Sequence, residues 1–272
     1  MMNRAKKHSS DGDMTAYITC HTGRVRENNE DNFVLNGISK KLEYGNVSFQ
    51  RNLPQPLVAG VFDGMGGEAN GEYASHIAAV TAKDLYRKLL ALPDCDCEAL
   101  ANNFVTEANN RIRDFMNEQH CDTGGSTVAA VMIKSGVVYP FSLGDSRVYL
   151  LRNGRLYQIS HDHTLAQRKV DDCIYTREEA LRSADSHKLT LFLGVDYVKD
   201  GLEAQCYQSV YLQAGDSLLL CSDGLYDELS DDEIASVLRS CSENPSYELV
   251  KKALQNGGGD NVTCVVINKQ SS

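Results

Sequence analysis

Four short acidic motifs hold the residues of this chain best suited to chemistry: Asn29-Glu30-Asp31-Asn32, Asp63-Gly64-Met65-Gly66-Gly67, Ser222-Asp223-Gly224 and Gly259-Asp260-Asn261. The second follows the apolar run Leu57 to Phe62, and the third follows Leu218 to Cys221. The fourth precedes the run Val262 to Ile267. Each carboxylate therefore stands at the end of an expected strand, where a sheet can converge side chains remote in sequence. Converged carboxylates repel one another unless cations lie between them. All-oxygen ligands favour hard divalent ions such as magnesium or manganese. A multinuclear metal site is the first expectation.

Plainer readings lose ground when the motifs are taken together. Gly64-Met65-Gly66-Gly67-Glu68-Ala69 has the spacing of a dinucleotide loop between a strand and a helix. Asp63, immediately before it, would oppose a pyrophosphate, and the chain lacks repeated βα units. The glycines instead allow a sharp turn and a backbone carbonyl beside a metal. Asp223 and Asp260 could each be a turn residue, but with Asp63 all three adjoin apolar strands. No calcium-loop pattern is present.

The elements that must position these motifs follow from periodicity. Strands are expected at Thr15–Thr22, Asp31–Leu35, Leu57–Phe62, Thr127–Ile133, Val137–Leu143, Val148–Arg152, Leu156–Ser160, Ala204–Leu212, Ser217–Cys221 and Asn261–Ile267. Helices are expected at Glu72–Leu92 and Glu98–Met116, separated by Pro93, and at Thr176–Leu181. A capping box at Ser230 and Glu233 opens another to Leu238, and Ser246–Gln255 is the last. This order is α+β: a central antiparallel β-sandwich flanked by helix pairs, in four αββα layers. One domain over residues 14–270 is expected, after a polar tail at 1–13.

Composition narrows the function. The 272 residues carry a net charge of −10, which argues against nucleic acid as the main partner. No apolar run approaches the roughly 20 residues of a membrane span, so no membrane partner is expected. Nine scattered cysteines do not suggest a disulfide framework. Cys20, Cys206, Cys221 and Cys264 read as small core residues, and a reducing cytoplasm is the expected compartment.

The ordered set Arg26-x-x-Asn29-Glu30-Asp31, Asp63-Gly64-Met65-Gly66-Gly67, Gly125-Ser126-Thr127, Leu143-Gly144-Asp145-Ser146-Arg147, Asp162-His163, Ser222-Asp223-Gly224 and Asp260-Asn261 resembles the protein phosphatase 2C family, in its bacterial form. The resemblance implies a metal-dependent serine/threonine protein phosphatase over about Thr15 to Ile267. Asp63 would bridge two manganese or magnesium ions, and Asp223 and Asp260 would complete the first site. The Gly64 carbonyl and the Glu30–Asp31 pair would serve the second. Asp145, with Asp223, matches the position of a third, weaker ion. Arg26 matches the family's phosphate-binding arginine, whose planar guanidinium suits two phosphoryl oxygens.

Departures from the family pattern concern the proton donor. Met65 stands where animal members carry a histidine, and Glu68 where many bacterial members do. His161 and His163, beside the Asp-His motif, read as structural. Residues 166–188 correspond to a variable flap expected to select substrate. The expected partners are phosphorylated proteins, substrates of a serine/threonine kinase, acted on by a monomer. Two alternatives share the site: a phosphatase of small phosphomonoesters, and a non-catalytic phosphoprotein-binding member of the fold.

Overall fold

A computed structural model describes residues 14–66, 70–92, 94–121, 123–196, 202–241 and 243–269. The tail at 1–13, together with Gly67, Glu68, Ala69 and Pro93, lies outside the described residues. In chain order the first elements are β1 (Met14–His21), β2 (Asn32–Leu35), β3 (Ile38–Ser39), β4 (Val47–Leu53), β5 (Leu57–Phe62) and β6 (Gly64–Met65). Two long helices follow, α1 (Asn70–Ala91) and α2 (Cys97–Glu118). Then come β7 (Gly125–Ser126), β8 (Val128–Lys134), β9 (Val137–Leu143), β10 (Arg147–Arg152), β11 (Arg155–Gln158), α3 (Leu165–Asp171) and α4 (Arg177–Leu181). The chain continues through β12 (Gln205–Cys206), β13 (Val210–Tyr211), β14 (Ser217–Cys221), α5 (Asp223–Tyr226), α6 (Asp231–Ser240), α7 (Pro245–Asn256) and β15 (Val262–Lys269).

Two sheets form. One runs β11-β10-β14-β15-β1-β4 and the other β12-β9-β8-β5-β2-β3, with β13 also paired to β9. Every pairing in them is antiparallel. Successive strand side chains point to opposite faces, and here both faces are covered. Leu57, Ala59 and Val61 of β5 pack against Ile18, Leu218, Leu220 and Val265 of the other sheet. The alternate residues Val58 and Phe62 pack on α1 and α2. Likewise Leu219 and Cys221 of β14 face Ile234, Leu249 and Val250 of α6 and α7. Hence the strands read as unbroken apolar runs, and the layers stack as αββα.

The helices start where the sequence provides caps. Asp96 accepts from the amides of Glu98 and Ala99, and the capping box at Ser230 and Glu233 is complete. A second complete box, at Thr176 and Glu179, opens α4.

Three expectations change. β4 has no counterpart in the sequence reading. Its Gln50-Arg51-Asn52 segment is exposed at a sheet edge, where polar side chains block pairing with other chains and mask the strand signal. The strand expected over Ala204–Leu212 is two short pieces, β12 and β13. Their register against β9 slips by one residue, beside Pro140, which has no amide to donate. Cys206 in this interrupted edge is half-buried, whereas Cys20, Cys221 and Cys264 are buried. The segment 163–184 gains a helix, α3, capped by Thr164.

Ile18 lies fully buried between the sheets, so Ile18→Ala should lower the unfolding free energy by about 2–5 kcal/mol. Gln50→Ala on the exposed edge should change it by less than about 0.5 kcal/mol. Urea titration monitored by circular dichroism checks both.

Candidate metal centre

Strand register brings the acidic motifs to one edge of the sandwich. His21 pairs with Val262, Cys221 with both Cys264 and Arg147, and Asn32 with Phe62. The β1–β2 loop, the end of β5, the β9–β10 turn, the β14–α5 junction and the two residues before β15 therefore all project from the same rim. Arg26, Glu30, Asp31, Asp63, Asp145, Asp223 and Asp260 come from these five places, and from both sheets.

Electrostatic coupling shows how tightly the carboxylates are gathered. Burial, then the charges of Asp31, Asp223 and Asp145, together with a hydrogen bond to Asp223, raise the Asp63 carboxyl well above its ordinary range. Asp31 is fully buried and is pushed up to about 7, first by burial and then by Asp223 and Asp260, against a hydrogen bond from Ser222. Asp145 is pushed up to about 8, by burial and then by Asp223. Glu30 is raised by burial and by Asp260 and Glu72, against the lowering effect of Arg26. The adjacent Glu30 and Asp31 thus have different neighbours: Asp31 faces Asp63, Asp223 and Asp260, and Glu30 lies beside Arg26 and Gly71.

Close backbone contacts lock these loops together. The Asn261 side chain donates to the Thr22 and Asn28 carbonyls at 2.7 and 2.9 Å and accepts from the Glu30 amide at 2.8 Å. Ser75 of α1 donates to the Glu30 carbonyl at 2.5 Å. A Cβ at Gly64 would stand 2.1 Å from the Gly71 carbonyl oxygen and 2.6 Å from that of Glu30, so only glycine fits. Gly224 is held equally closely, with the Asn261 carbonyl oxygen 2.1 Å from a Cβ placed there. The Asp63 amide donates to Thr127 Oγ1 at 2.9 Å, and the Thr127 amide returns a bond to the Asp63 carbonyl.

Arg26 sits exposed at the rim and donates to Asp260 Oδ2 at 2.6 Å. His163 Nδ1 accepts from the Gly144 amide at 3.0 Å, and burial lowers its pKa, so its role is to hold the turn that carries Asp145. His161 Nε2 meets Asp171 of α3 at 2.8 Å. Two residues near the centre escaped the sequence reading. His187 Nδ1 lies 3.8 Å from Asp223 Oδ2 and 3.9 Å from Asp227 Oδ2, and the three could share a cation. Asp227 carried a usable signal, since Asp223-x-x-x-Asp227 puts both carboxylates on one face of a helical turn. His187 carried none, because only the tertiary fold brings residues 183–188 to Asp223.

The donor set fits hard divalent cations on this structure's own terms. Asp31 Oδ2 accepts from Ser222 Oγ at 2.7 Å, but the buried Oδ1 has no hydrogen-bond partner among the described residues. A buried polar atom without a partner is costly, and oxygen donors surround it. Gly64, next to Asp63 in the chain, is packed against the Glu30 backbone.

The profile described as Protein phosphatase 2C matches residues 46–256. The chain belongs to the protein phosphatase 2C family. The match omits Arg26, Glu30, Asp31 and Asp260, but a serine/threonine phosphatase stp of Listeria welshimeri is 33% identical over 263 residues, 94% of this chain and 96% of its own. The crystal structure of the serine/threonine phosphatase PstP/Ppp of Mycobacterium tuberculosis superposes with a TM-score of 0.78 at 30% identity, covering 95% of this chain and 100% of that one. A PstP catalytic domain in complex with two manganese ions gives 0.75 at 30% identity, over 95% and 100% of the two chains. The αββα layering and its antiparallel sheets are thus those of the family.

Asp31, Asp145 and Asp227 all hold a proton more tightly in the folded protein than at the usual carboxylate value of 3.8. Their contribution to stability is full below about pH 4 and is lost as pH rises through about 6 for Asp227, 7 for Asp31 and 8 for Asp145. In excess chelator the melting temperature should fall by several degrees between pH 5 and 8.5, at roughly 2–4 °C per kcal/mol. Manganese should abolish that fall. A flat profile in chelator, read by differential scanning fluorimetry, would show that the carboxylates are not held together.

Proposed function

We propose that this chain is a metal-dependent protein phosphatase that hydrolyses phosphoserine and phosphothreonine in proteins. The observation that carries the reading is the convergence of Asp31, Asp63, Asp145, Asp223 and Asp260, drawn from both sheets, at one rim beside Arg26. Membership of the family and the manganese-bound relative support it.

Asp63, Asp223, Asp260, Glu30 and the Gly64 carbonyl would hold two manganese or magnesium ions. Asp31, among Asp63, Asp223 and Asp260, would complete the cluster, and Asp145 with Asp223 would hold a third, weaker ion. When bound, such ions neutralise charge on the phosphoryl group and activate the attacking water. The chain's own residues do the positioning. Asn261, Ser75 and Thr127 fix the loops that carry Glu30 and Asp63. Arg26, exposed and already paired with a carboxylate, is placed to take phosphoryl oxygens in a bidentate grip. Hydrolysis adds one water to the phosphoester, releasing the seryl or threonyl hydroxyl and inorganic phosphate.

The rest of the reading concerns context. The described residues fit one phosphatase domain, with the segment at about 166–188 as a flap over the Asp223 side of the rim, acting as a monomer. No described helix is long and apolar enough to cross a membrane, and all nine cysteines are free. We infer a cytoplasmic enzyme that opposes a serine/threonine kinase.

Phosphothreonine and phosphoserine peptides should be hydrolysed only with added manganese or magnesium. Parallel assays on small phosphate esters with and without chelator check this, and full activity after exhaustive chelation would refute the reading. Asp63→Ala should cost more than the roughly 10²–10³-fold of a single electrostatic contact. Arg26→Ala should chiefly raise KM for the phosphopeptide, by about tenfold. An unchanged KM would remove Arg26 from phosphate binding.

A further inference from the structure

We propose that Tyr226 is a positioning residue that holds Asp145 and Asp223 at a fixed separation and so sets the affinity of the weak cation site between them. The proposal rests on the assignment of Asp145 and Asp223 to that site.

The two carboxylates come from segments that the sheet alone does not hold together. Arg147 of β10 pairs with Cys221 of β14, and the ladder stops there. Beyond it one chain turns through Ser146 and Asp145, and the other enters α5 at Asp223. The like charges of Asp145 and Asp223 push these two segments apart. Tyr226, the last residue of α5, spans the gap. Its hydroxyl donates to the Asp145 carbonyl oxygen at 3.1 Å. Its ring lies under the Arg147 guanidinium, 3.5 Å from the centroid. That guanidinium is itself fixed: it donates to Asp162 at 2.6, 3.0 and 3.0 Å and to the Tyr149 hydroxyl at 3.0 Å.

One side chain therefore ties the turn that carries Asp145 to the helix that carries Asp223, and braces both against a guanidinium locked by Asp162. Neither the ring nor the hydroxyl is needed as a ligand. A site with few protein ligands depends on the preset spacing of those it has, because a small hard cation demands near-ideal geometry. A site built from many carboxylates around Asp63 is less sensitive to one of them shifting.

Tyr226→Phe keeps the ring beneath Arg147 and deletes only the hydroxyl. Losing one hydrogen bond of ordinary strength corresponds to roughly two- to tenfold in a dissociation constant. Manganese is titrated into metal-free wild type, Tyr226→Phe and Asp145→Ala, with bound ion followed by calorimetry and free ion by electron paramagnetic resonance. Wild type should show two tight sites and one weak site, and Asp145→Ala should lose the weak one. Tyr226→Phe should weaken that site by about fivefold, with the tight sites unchanged and the melting temperature in chelator lowered by no more than about 2–4 °C. An unaltered weak site in Tyr226→Phe would overturn the positioning role alone. Loss of all sites together with a lowered melting temperature would make Tyr226 a general structural residue and overturn it too. A wild type with no weak site sensitive to Asp145→Ala would overturn the underlying assignment, and the proposal with it.

Discussion

Repulsion between carboxylates is the constraint on which the rest of this structure depends. Asp31, Asp63 and Asp145 are each raised by burial and by one another's neighbours, so the metal-free cluster works against the fold. Something stiff must hold it. The sandwich does this because both faces of both sheets are buried, by the opposite sheet on one side and by helices on the other. Close-packed interiors resist displacement, and strand ends anchored in them cannot relax outward to separate their charges. The short-range contacts at the rim, Gly64 on Gly71 and Gly224 on Asn261, extend that stiffness into the loops.

The two halves of the rim are held differently. On the Glu30 side the backbone dominates: Asn261 and Ser75 bond to main-chain groups, and α1 begins against the same loop. Toward Asp145 and Asp223 side chains dominate, through Tyr226, Arg147, Asp162 and His163. Here His187 and Asp227 also approach Asp223. The segment carrying His187 is tied by ion pairs of Lys169 and Lys188 with Asp185, more exposed than the core beneath them.

Convergence of the acidic motifs was legible because each carboxylate adjoins a short apolar run, and runs such as Leu57–Phe62 and Leu218–Cys221, too short for a helix, are strands buried on both faces. The capping box at Ser230 was legible for a local reason, since its two hydrogen bonds lie within four residues. What stayed hidden depends on tertiary placement. β4 carries an edge strand's polar residues, and its pairing with β1 is visible only in register. Asn261 reads as the first residue of the last strand, yet its side-chain amide ties Thr22, Asn28 and Glu30 of the β1–β2 loop. Division of the Ala204–Leu212 strand follows from Pro140 on a neighbour, which no inspection of that strand alone reveals.

The position of β15 has a consequence for the order of events during synthesis. It is the last strand among the described residues, yet it lies inside its sheet between β14 and β1, and Asp260 stands two residues before it. Until it emerges from the ribosome, β1 and β14 have no shared neighbour, and the apolar faces of Ile18, Leu218 and Leu220 lack Val265 and Ile267. Long-range pairings of this kind form late and slowly. A nascent chain therefore lacks Asp260, and the strand that joins β1 to β14, until residues 260–269 have been made.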